Sequence, residues 1–313
     1  MKYIDKLQKI FDKKNKETYI NNDINNYTNL NFVFVRHGYG CHNAIGNLIN
    51  NNLLDYKNGR QLLKSELFDP ELTPIGIDAS IANGNIVNKV IRSLSKTLAN
   101  KDLNIDEINV IGCSPLIRSM ETAYFMSRNW INPPKKIYVF PLLREIDESS
   151  NDKYSQNSFN TMETTPSYAM KSIIEQKNYL RSIGILDAFD FSFVEQYPNL
   201  RREPGDIPKF INWFILKYMS QIQQRSNLNI FIVTHAGVLK DYSKTGFTNN
   251  SGFVLNGLLR LKNNTFKLNK YISLNSYLPK EFFQEYNESK WNKRSHYCPS
   301  DRCGNGKLCK LLN

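Results

Sequence analysis

Two histidines, two arginines and one glutamate each follow an apolar run of the sequence, and together they could transfer a phosphoryl group. These residues are Arg36, His37, Arg118, Glu145 and His235. Two guanidinium groups can bind a phosphoryl dianion and stabilise the charge on its oxygens during transfer. Their positive charge keeps a neighbouring imidazole neutral, so that a ring nitrogen can attack phosphorus, while a glutamic acid protonates the departing oxygen. This chemistry needs no metal ion.

A single residue of this set would mean little, because a lone histidine is more often a hydrogen-bonding residue than a catalyst. The set is informative because its members follow predicted strands. Four apolar, β-branched runs predict buried parallel strands, at residues 31–35, 108–112, 137–140 and 229–233. Open α/β sheets place their ligands at the carboxyl ends of the strands. We therefore expect the five side chains to meet in one crevice.

Helical patterns lie between these runs, at residues 74–98, 117–129 and 207–224. Strands that alternate with helices predict an α/β fold with crossover connections. Two further runs, 253–261 and 266–274, predict a hairpin that closes one edge of the sheet. The long separation between the third and fourth strands predicts an insertion over about residues 148–205. It would lie near the strand ends and shape the substrate pocket.

The order and spacing of several motifs resemble those of the histidine phosphatase superfamily, branch 1, whose members are phosphoglycerate-mutase-like. The motifs are Val35-Arg36-His37-Gly38 with Asn43, Leu72-Thr73-Pro74-Ile75-Gly76, Ser114-Pro115-Leu116-Ile117-Arg118, Leu143-Arg144-Glu145 and Val233-Thr234-His235. They are in register across about residues 31–261. The resemblance implies an α/β fold in three layers, with a mostly parallel sheet flanked by helices and the insertion over the strand ends.

The same resemblance implies a role for each candidate residue. It makes His37 the nucleophile that becomes a phosphohistidine and Glu145 the proton donor for the leaving oxygen. The phosphate pocket around the nucleophile has four members, Arg36, Asn43, Arg118 and His235. The implied activity is that of a phosphomonoesterase, a hydrolase without a metal or other cofactor. Its substrate would be a phosphorylated small molecule or a phosphoprotein.

Two departures from relatives in the superfamily bear on the reaction. One favours hydrolysis over mutase activity, and the other leaves Glu145 as the proton donor. Mutases of the superfamily carry a glycine-containing stretch after the acidic residue, and residues 146–151 contain no glycine. The acid phosphatase branch has an aspartate directly after the second histidine, where this chain has Ala236.

A cofactor-dependent phosphoglycerate mutase is the alternative function. A non-catalytic protein that binds an anion or nucleic acid is the second alternative. His42 resembles a phosphatase-like subgroup, and it either lines the pocket or only makes a hydrogen bond.

The composition predicts a folded protein with a real core, because 41% of the 313 residues are hydrophobic. The formal net charge of +12 fits an anionic partner, although a codon bias toward Asn and Lys explains it equally well, and nucleic-acid binding is not expected. No apolar run approaches the ~18 to 20 residues of a membrane span, and the N-terminus lacks the apolar region of a secretory signal. We expect a cytoplasmic protein with reduced cysteines.

Three segments are predicted along the chain. Residues 1–30 form an N-terminal amphipathic helix and a linker, residues 31–275 the catalytic domain with its insertion, and residues 276–313 a cysteine-containing tail. The tail holds four residues of the types that bind zinc, in a spacing that fits no common zinc motif: His296, Cys298, Cys303 and Cys309. Three basic residues of the insertion either meet a second anionic group of the substrate or are solvated: Arg201, Arg202 and Lys209.

Overall fold

The computed structural model describes residues 27–50, 68–97, 107–146, 170–222, 225–261 and 264–280, with isolated positions at 8–9, 54, 58, 105 and 282. Most of the predicted N-terminal helix, the first part of the predicted insertion and the predicted zinc ligands of the tail lie outside these residues. Among the helices within these ranges, none has the length and hydropathy that crossing a membrane requires.

A seven-stranded sheet forms the centre of the described part of the chain. Its strands are β1 (Tyr27–Arg36), β2 (Val110–Cys113), β3 (Ile137–Val139), β4 (Phe189–Asp190), β5 (Asn227–Thr234), β6 (Gly252–Arg260) and β7 (Thr265–Ser273). The spatial order is β4-β3-β2-β5-β1-β6-β7. The strands from β4 to β1 in this order run parallel, whereas β6 is antiparallel to both β1 and β7. The predicted mostly parallel sheet with a hairpin at one edge is confirmed.

Helices connect most of these strands. They are α1 (Cys41–Asn50), α2 (Pro74–Thr97), α3 (Ile117–Ser127), α4 (Ile173–Ser182), α5 (Ser192–Gln196), α6 (Pro198–Arg202), α7 (Ile207–Ile222) and α8 (Ala236–Leu239). The three helices predicted between the strands correspond to α2, α3 and α7. Each begins at the predicted residue and ends within two residues of the predicted end.

The two faces of the sheet pack against different helices. Successive residues of a strand point to opposite faces, and β1 follows this rule with large side chains on both. Phe32 and Phe34 belong to the core cluster that contains α7, and the ring of Phe32 meets that of Phe214 edge to face at 5.6 Å. Val33 and Val35 belong to the cluster that contains side chains of α2 and α3. The predicted arrangement of three layers is therefore confirmed.

The start of β1 differs from its prediction. The strand begins at Tyr27, so its first four residues lie in the segment that was predicted to be a linker. The stretch is polar, but Asn29 and the next asparagine of the strand, Asn31, both pair with asparagines of neighbouring strands. Nδ2 of Asn31 donates to Oδ1 of Asn229, and Nδ2 of Asn256 donates to Oδ1 of Asn29, both at 2.8 Å. Amide groups that pair across strands avoid the penalty of burying an unpaired polar group.

The described part of the insertion, residues 170–205, extends the sheet and packs at the strand ends. Its strand β4 has only two residues, too few to produce a periodic pattern in the sequence. Nε2 of Gln176, on α4, donates to the carbonyl of Pro115 after β2 at 2.7 Å. Arg201 is buried, and its Nη2 donates to Oε1 of Gln176 at 2.9 Å. Arg201 is thus a structural residue of the insertion rather than a solvated one.

The two cysteines within the described residues are in different states. Cys113, on β2, is a buried free thiol, and burial raises its pKa far above the ordinary value. Cys41, the first residue of α1, is disulfide-bonded, and its partner lies outside the described residues. The expectation of reduced cysteines is therefore wrong for Cys41. Because disulfides persist mainly in oxidising compartments, this bond gives no support to the expected cytoplasmic location.

Candidate active site

The carboxyl ends of the parallel strands bring the candidate residues together. His37 follows β1 directly, and its backbone N–H donates to the carbonyl of Thr234, the last residue of β5, at 2.9 Å. His235 comes next in the chain. Arg118 lies in the first turn of α3, after β2, and Glu145 lies in the segment after β3. Neighbouring strands of the sheet therefore place residues that are distant in the sequence around one crevice.

His37 has one ring nitrogen bound to the backbone. Nδ1 lies 2.6 Å from the carbonyl oxygen of Gly38. A carbonyl oxygen only accepts hydrogen bonds, so Nδ1 carries the hydrogen of the neutral ring and the lone pair lies on Nε2. Burial, and then the positive charge of Arg118, hold the pKa of His37 well below its ordinary value. The ring is neutral at pH 7 and can act as a nucleophile through Nε2.

Helix α3 fixes the loop that carries His37. The N–H of Gly38 donates to Oγ1 of Thr122 at 2.9 Å, and this hydroxyl donates to the carbonyl of Arg118 at 2.6 Å. A Cβ atom at position 38 would lie 2.5 Å from Oγ of Ser80, so the close approach requires glycine. These contacts join two of the sequence motifs, the one around His37 and the one that ends at Arg118.

His235 lies beside His37, with 5.1 Å between the ring centroids. It is fully buried. Its Nε2 lies 2.7 Å from Oγ of Ser114 and 3.3 Å from Oγ of Ser119. Its Nδ1 lies 3.8 Å from Oε2 of Glu145, which is too long for a hydrogen bond. The two sides of this ring therefore meet different groups.

Two guanidinium groups make the site electropositive. Arg118 is only 1% exposed, and its charge is the second cause, after burial, that lowers the pKa of both His37 and His235. Arg36 also lowers the pKa of both rings, and its Nη1 donates to the carbonyl of Phe247 at 3.1 Å. A buried pocket with positive guanidinium groups and neutral imidazoles favours an anion.

Glu145 is held by two backbone N–H groups. Its Oε1 accepts hydrogen bonds from Ile146 and Gly237, both at 3.0 Å. Burial raises the pKa of Glu145, although the charge of Arg118 and these hydrogen bonds oppose the shift. A Cβ atom at position 237 would lie 2.6 Å from Oε1, so Gly237 leaves room for the carboxyl group. A carboxyl with a raised pKa is suited to general acid catalysis.

Asn43 and the threonine of the second motif both hold the loop between β1 and α1. Oδ1 of Asn43 accepts a hydrogen bond from the N–H of Gly40 at 3.0 Å. Oγ1 of Thr73 donates to the carbonyl of Tyr39 at 2.9 Å. The contacts of Asn43 thus give it a role in the loop, and its predicted contact with phosphate stays a prediction.

Three residues near the site were not assigned to it from the sequence. The ring centroid of His42 lies 5.5 Å from that of His37, which favours the interpretation that His42 lines the pocket. Burial, followed by the charges of two arginines, lowers the pKa of His42. Ser114 and Ser119 contact His235 through their hydroxyl groups. Both serines stand in or beside a recognised motif, but the sequence does not indicate which side chain their hydroxyls face.

The site also contains a possible set of metal ligands. Within the described residues, ligand atoms of His37, Glu145 and His235 all lie within 4.8 Å of one another. Two imidazoles and a carboxylate can bind zinc. The guanidinium groups of Arg36 and Arg118 repel a cation and attract an anion. The charge of the site therefore fits a phosphoryl group better than a metal ion.

No protein-family model and no curated protein matches the sequence. Among solved structures, the chain is similar to the protein histidine phosphatase SixA complexed with tungstate, with 14% identity, coverage of 80% of this chain and 99% of that chain, and a TM-score of 0.31. It is similar to a phosphoglycerate mutase from Bacillus anthracis, with 13% identity, coverage of 78% and 93%, and a TM-score of 0.38. A third is a phosphoserine phosphatase variant from Entamoeba histolytica in complex with phosphoserine, with 16% identity, coverage of 78% and 97%, and a TM-score of 0.33.

These solved structures belong to the histidine phosphatase superfamily, which the sequence motifs resemble. The sheet and helices described above establish the α/β fold, and the side chains of the site determine its chemistry.

Proposed function

We propose that this chain is a phosphomonoesterase that works through a phosphohistidine on His37. The observation that supports this most is the state of the His37 ring. Its Nδ1–H is bound to the carbonyl of Gly38, so the lone pair of Nε2 is available in a pocket made electropositive by Arg36 and Arg118. A neutral imidazole beside two guanidinium groups suits the in-line attack on a phosphate ester.

In the proposed first step, Arg36 and Arg118 bind the phosphoryl group and Nε2 of His37 attacks phosphorus. A nitrogen–phosphorus bond forms as the bond between phosphorus and the ester oxygen breaks. The carboxyl group of Glu145 gives its proton to that oxygen, which departs as a hydroxyl group. The enzyme then carries a phosphohistidine, and Glu145 is a carboxylate.

In the second step, water attacks the phosphorus of the phosphohistidine. The carboxylate of Glu145 accepts a proton from this water as the nitrogen–phosphorus bond breaks. Inorganic phosphate leaves, His37 is neutral again, and Glu145 is protonated for the next cycle. The same carboxyl group thus serves first as the acid and then as the base.

The proposed substrate is a phosphorylated small molecule, with a phosphoprotein as the other candidate, and no cofactor takes part. His235 and Asn43 complete the phosphate pocket in this proposal. The proposed catalytic unit is the predicted domain at residues 31–275. Its N-terminal boundary moves to Tyr27, where β1 begins. The cytoplasmic location stays a prediction from the sequence alone.

Two alternatives make different predictions. A cofactor-dependent phosphoglycerate mutase would use the same first step and then return the phosphoryl group to the substrate instead of to water. The lack of glycine in residues 146–151 favours hydrolysis. A non-catalytic protein that binds an anion or nucleic acid would need the positive charge of the pocket, but it would not need a buried carboxyl group such as that of Glu145 beside the histidines.

Hydrolysis of an aryl phosphate in excess chelator tests the proposal. We expect activity that survives the chelator, is lost in His37→Ala and is reduced in Glu145→Gln, with circular dichroism to verify that each variant folds. Faster interconversion of phosphoglycerates than release of phosphate would favour the mutase. A folded wild-type protein with no turnover, and with no phosphoenzyme from phosphoglycerate or bisphosphoglycerate, would rule out both enzymes.

A further inference from the structure

The ring of His235 is hydrogen-bonded on one side, and the nitrogen on its other side is buried without a hydrogen-bond partner among the described residues. Its Nε2 lies 2.7 Å from Oγ of Ser114 and 3.3 Å from Oγ of Ser119. The nitrogen on the other side is Nδ1, which lies on the side of Glu145, at 3.8 Å from Oε2. The ring and both serines are fully buried, so water does not satisfy their polar atoms from bulk solvent.

The neutral ring of His235 has one hydrogen to place on one of two nitrogens. Burial and the charge of Arg118 lower the pKa of His235, so the ring carries a single N–H at pH 7. Which nitrogen holds it decides what the ring offers to a bound anion. A hydrogen on Nδ1 makes the Nδ1 side a donor, whereas a hydrogen on Nε2 leaves a lone pair there, which would repel a phosphoryl oxygen.

The two serine hydroxyls decide between these forms. Within the described ranges, neither Oγ has a hydrogen-bond partner other than Nε2 of His235. If Nε2 carried the hydrogen, the hydroxyl hydrogens of Ser114 and Ser119 would both lack an acceptor in a buried site. If Nε2 is bare, it accepts from Ser114 at 2.7 Å, with Ser119 as a second, weaker donor. Because buried donors without an acceptor are costly, the second form is favoured.

We propose that Ser114 and Ser119 are positioning residues that hold the hydrogen of His235 on Nδ1, so that this N–H donates to an oxygen of the bound phosphoryl group. The donor role rests on the proposed function, whereas the position of the hydrogen does not. A donor that is fixed before the substrate binds needs no reorganisation during the reaction.

The two histidines of the site then have the same tautomer but opposite orientations. His37 binds the carbonyl of Gly38 through Nδ1–H and offers the lone pair of Nε2 to the substrate. His235 binds the serines through Nε2 and offers Nδ1–H. One ring is the nucleophile and the other is a donor, and the groups next to each ring determine this difference.

Nitrogen NMR of protein labelled with ¹⁵N in histidine tests the tautomer directly. The chain has four histidines, and a His235→Gln variant identifies the signals of His235 by their loss. In the wild-type protein near neutral pH, we expect a protonated, pyrrole-type Nδ1 and a pyridine-type Nε2. In the double variant Ser114→Ala, Ser119→Ala, we expect the hydrogen to be shared between both nitrogens. A protonated Nε2 in the wild-type protein overturns the proposal, whether or not the double variant folds.

Binding of inorganic phosphate, measured by calorimetry, tests the donor role. We expect the double variant to bind phosphate about twofold to tenfold more weakly than the wild type, because only the rings that keep the hydrogen on Nδ1 can donate and the affinity falls with their fraction. Ser93→Ala is the matched control, because Ser93 is exposed on α2 and its hydroxyl donates to the carbonyl of Val90 in the same helix, and it should bind phosphate like the wild type. Unchanged phosphate affinity in a folded double variant overturns the donor role.

These results are separable from the proposed function. A wild-type protein that carries the hydrogen on Nδ1 and binds phosphate through it, but hydrolyses no phosphate ester, would contradict the phosphomonoesterase proposal. The same result would support the inference about the two serines.

Discussion

The backbone N–H of Gly237 donates a hydrogen bond of 3.0 Å to Oε1 of Glu145. This contact joins the segment after β5, which carries His235, to the segment after β3, which carries the proposed proton donor. A second contact reinforces it, because Oγ1 of Thr234 donates to the carbonyl of Leu143 at 2.9 Å. The same two strand ends therefore position the proposed acid and the phosphate pocket relative to each other.

Gly237→Ala should displace the carboxyl group of Glu145, because the new Cβ atom would lie 2.6 Å from Oε1. We expect kcat for an alkyl phosphate to fall by about tenfold to a thousandfold, which is less than the full loss of a general acid because the carboxyl group is displaced and not removed. An aryl phosphate, whose leaving group needs less protonation, should be affected less. Gly46→Ala on α1 is the control, since nothing lies within 4 Å of its Cβ position. Equal losses for the two substrates would contradict a role through Glu145.

The pH profile should carry the signature of Glu145. Burial raises the pKa of its carboxyl group, and the first step uses the protonated form, so kcat/KM for an alkyl phosphate should fall as pH rises through that pKa. The pKa of His37 is lowered well below its ordinary value of 6.5, so the ring stays neutral at pH values somewhat below 6.5. The acidic limb of the profile should therefore lie below pH 6.5. In Glu145→Gln, the alkaline limb should disappear. An unchanged alkaline limb in that variant would assign it to another group.

Asp69 joins the insertion to the start of α3. Its Oδ1 accepts from the N–H of Ile117 at 2.9 Å, and its Oδ2 accepts from Nε2 of Gln176 at 2.7 Å. In Asp69→Ala we expect a loss of about 2 to 4 kcal/mol in the free energy of unfolding, because buried donors lose their acceptor. We also expect about tenfold lower activity, because Arg118 lies in the same helical turn as Ile117.

Urea unfolding and steady-state kinetics measure the two effects of Asp69→Ala. Glu175→Ala is the control on the insertion, since Glu175 is an exposed residue that caps α4, and its activity should stay at the wild-type level. Full activity in folded Asp69→Ala protein would show that the insertion does not position the phosphate-binding segment.

Asn31 should matter for stability and not for catalysis. It is fully buried on β1, and its Nδ2 donates to Asn227 and Asn229 on β5 at 3.0 and 2.8 Å. Asn31→Ala removes these bonds and leaves buried acceptors, so we expect the free energy of unfolding to fall by about 1 to 3 kcal/mol. The value of kcat/KM should stay within about twofold of wild type. Asn178→Ala, at an exposed position on α4, should change neither quantity. A large fall in kcat/KM of folded Asn31→Ala would connect this network to the site.

The strands with β-branched apolar residues were predictable because burial on both faces produces continuous apolar runs. The start of β1 was not, because Asn29 is a polar, half-buried residue that pairs with asparagines on β5 and β6. Such pairing depends on the strand order, and a single sequence does not reveal the order. The short strand β4 was missed for a different reason, since two residues carry no periodicity.

The five residues of the candidate site were predictable because each lies at or shortly after the carboxyl end of a strand, and parallel strands bring these ends together. The contacts of Ser114 and Ser119 with His235 depend on the conformation of the connection between β2 and α3 and on the orientation of α3. No pattern in the sequence indicates these contacts. The disulfide of Cys41 was not predicted, because five cysteines do not form the even, dense set that is typical of a disulfide scaffold. The number of cysteines does not determine whether one pair forms.

The central claim is that His37 accepts the phosphoryl group, and rapid quenching during turnover tests it most directly. The reaction is stopped in alkali, which preserves phosphohistidine, and the peptide around His37 is analysed by mass spectrometry. We expect an acid-labile phosphate on His37 that forms and decays at rates consistent with turnover, and none in His37→Ala. Turnover without phosphate on His37, or activity that persists in folded His37→Ala, would contradict the account.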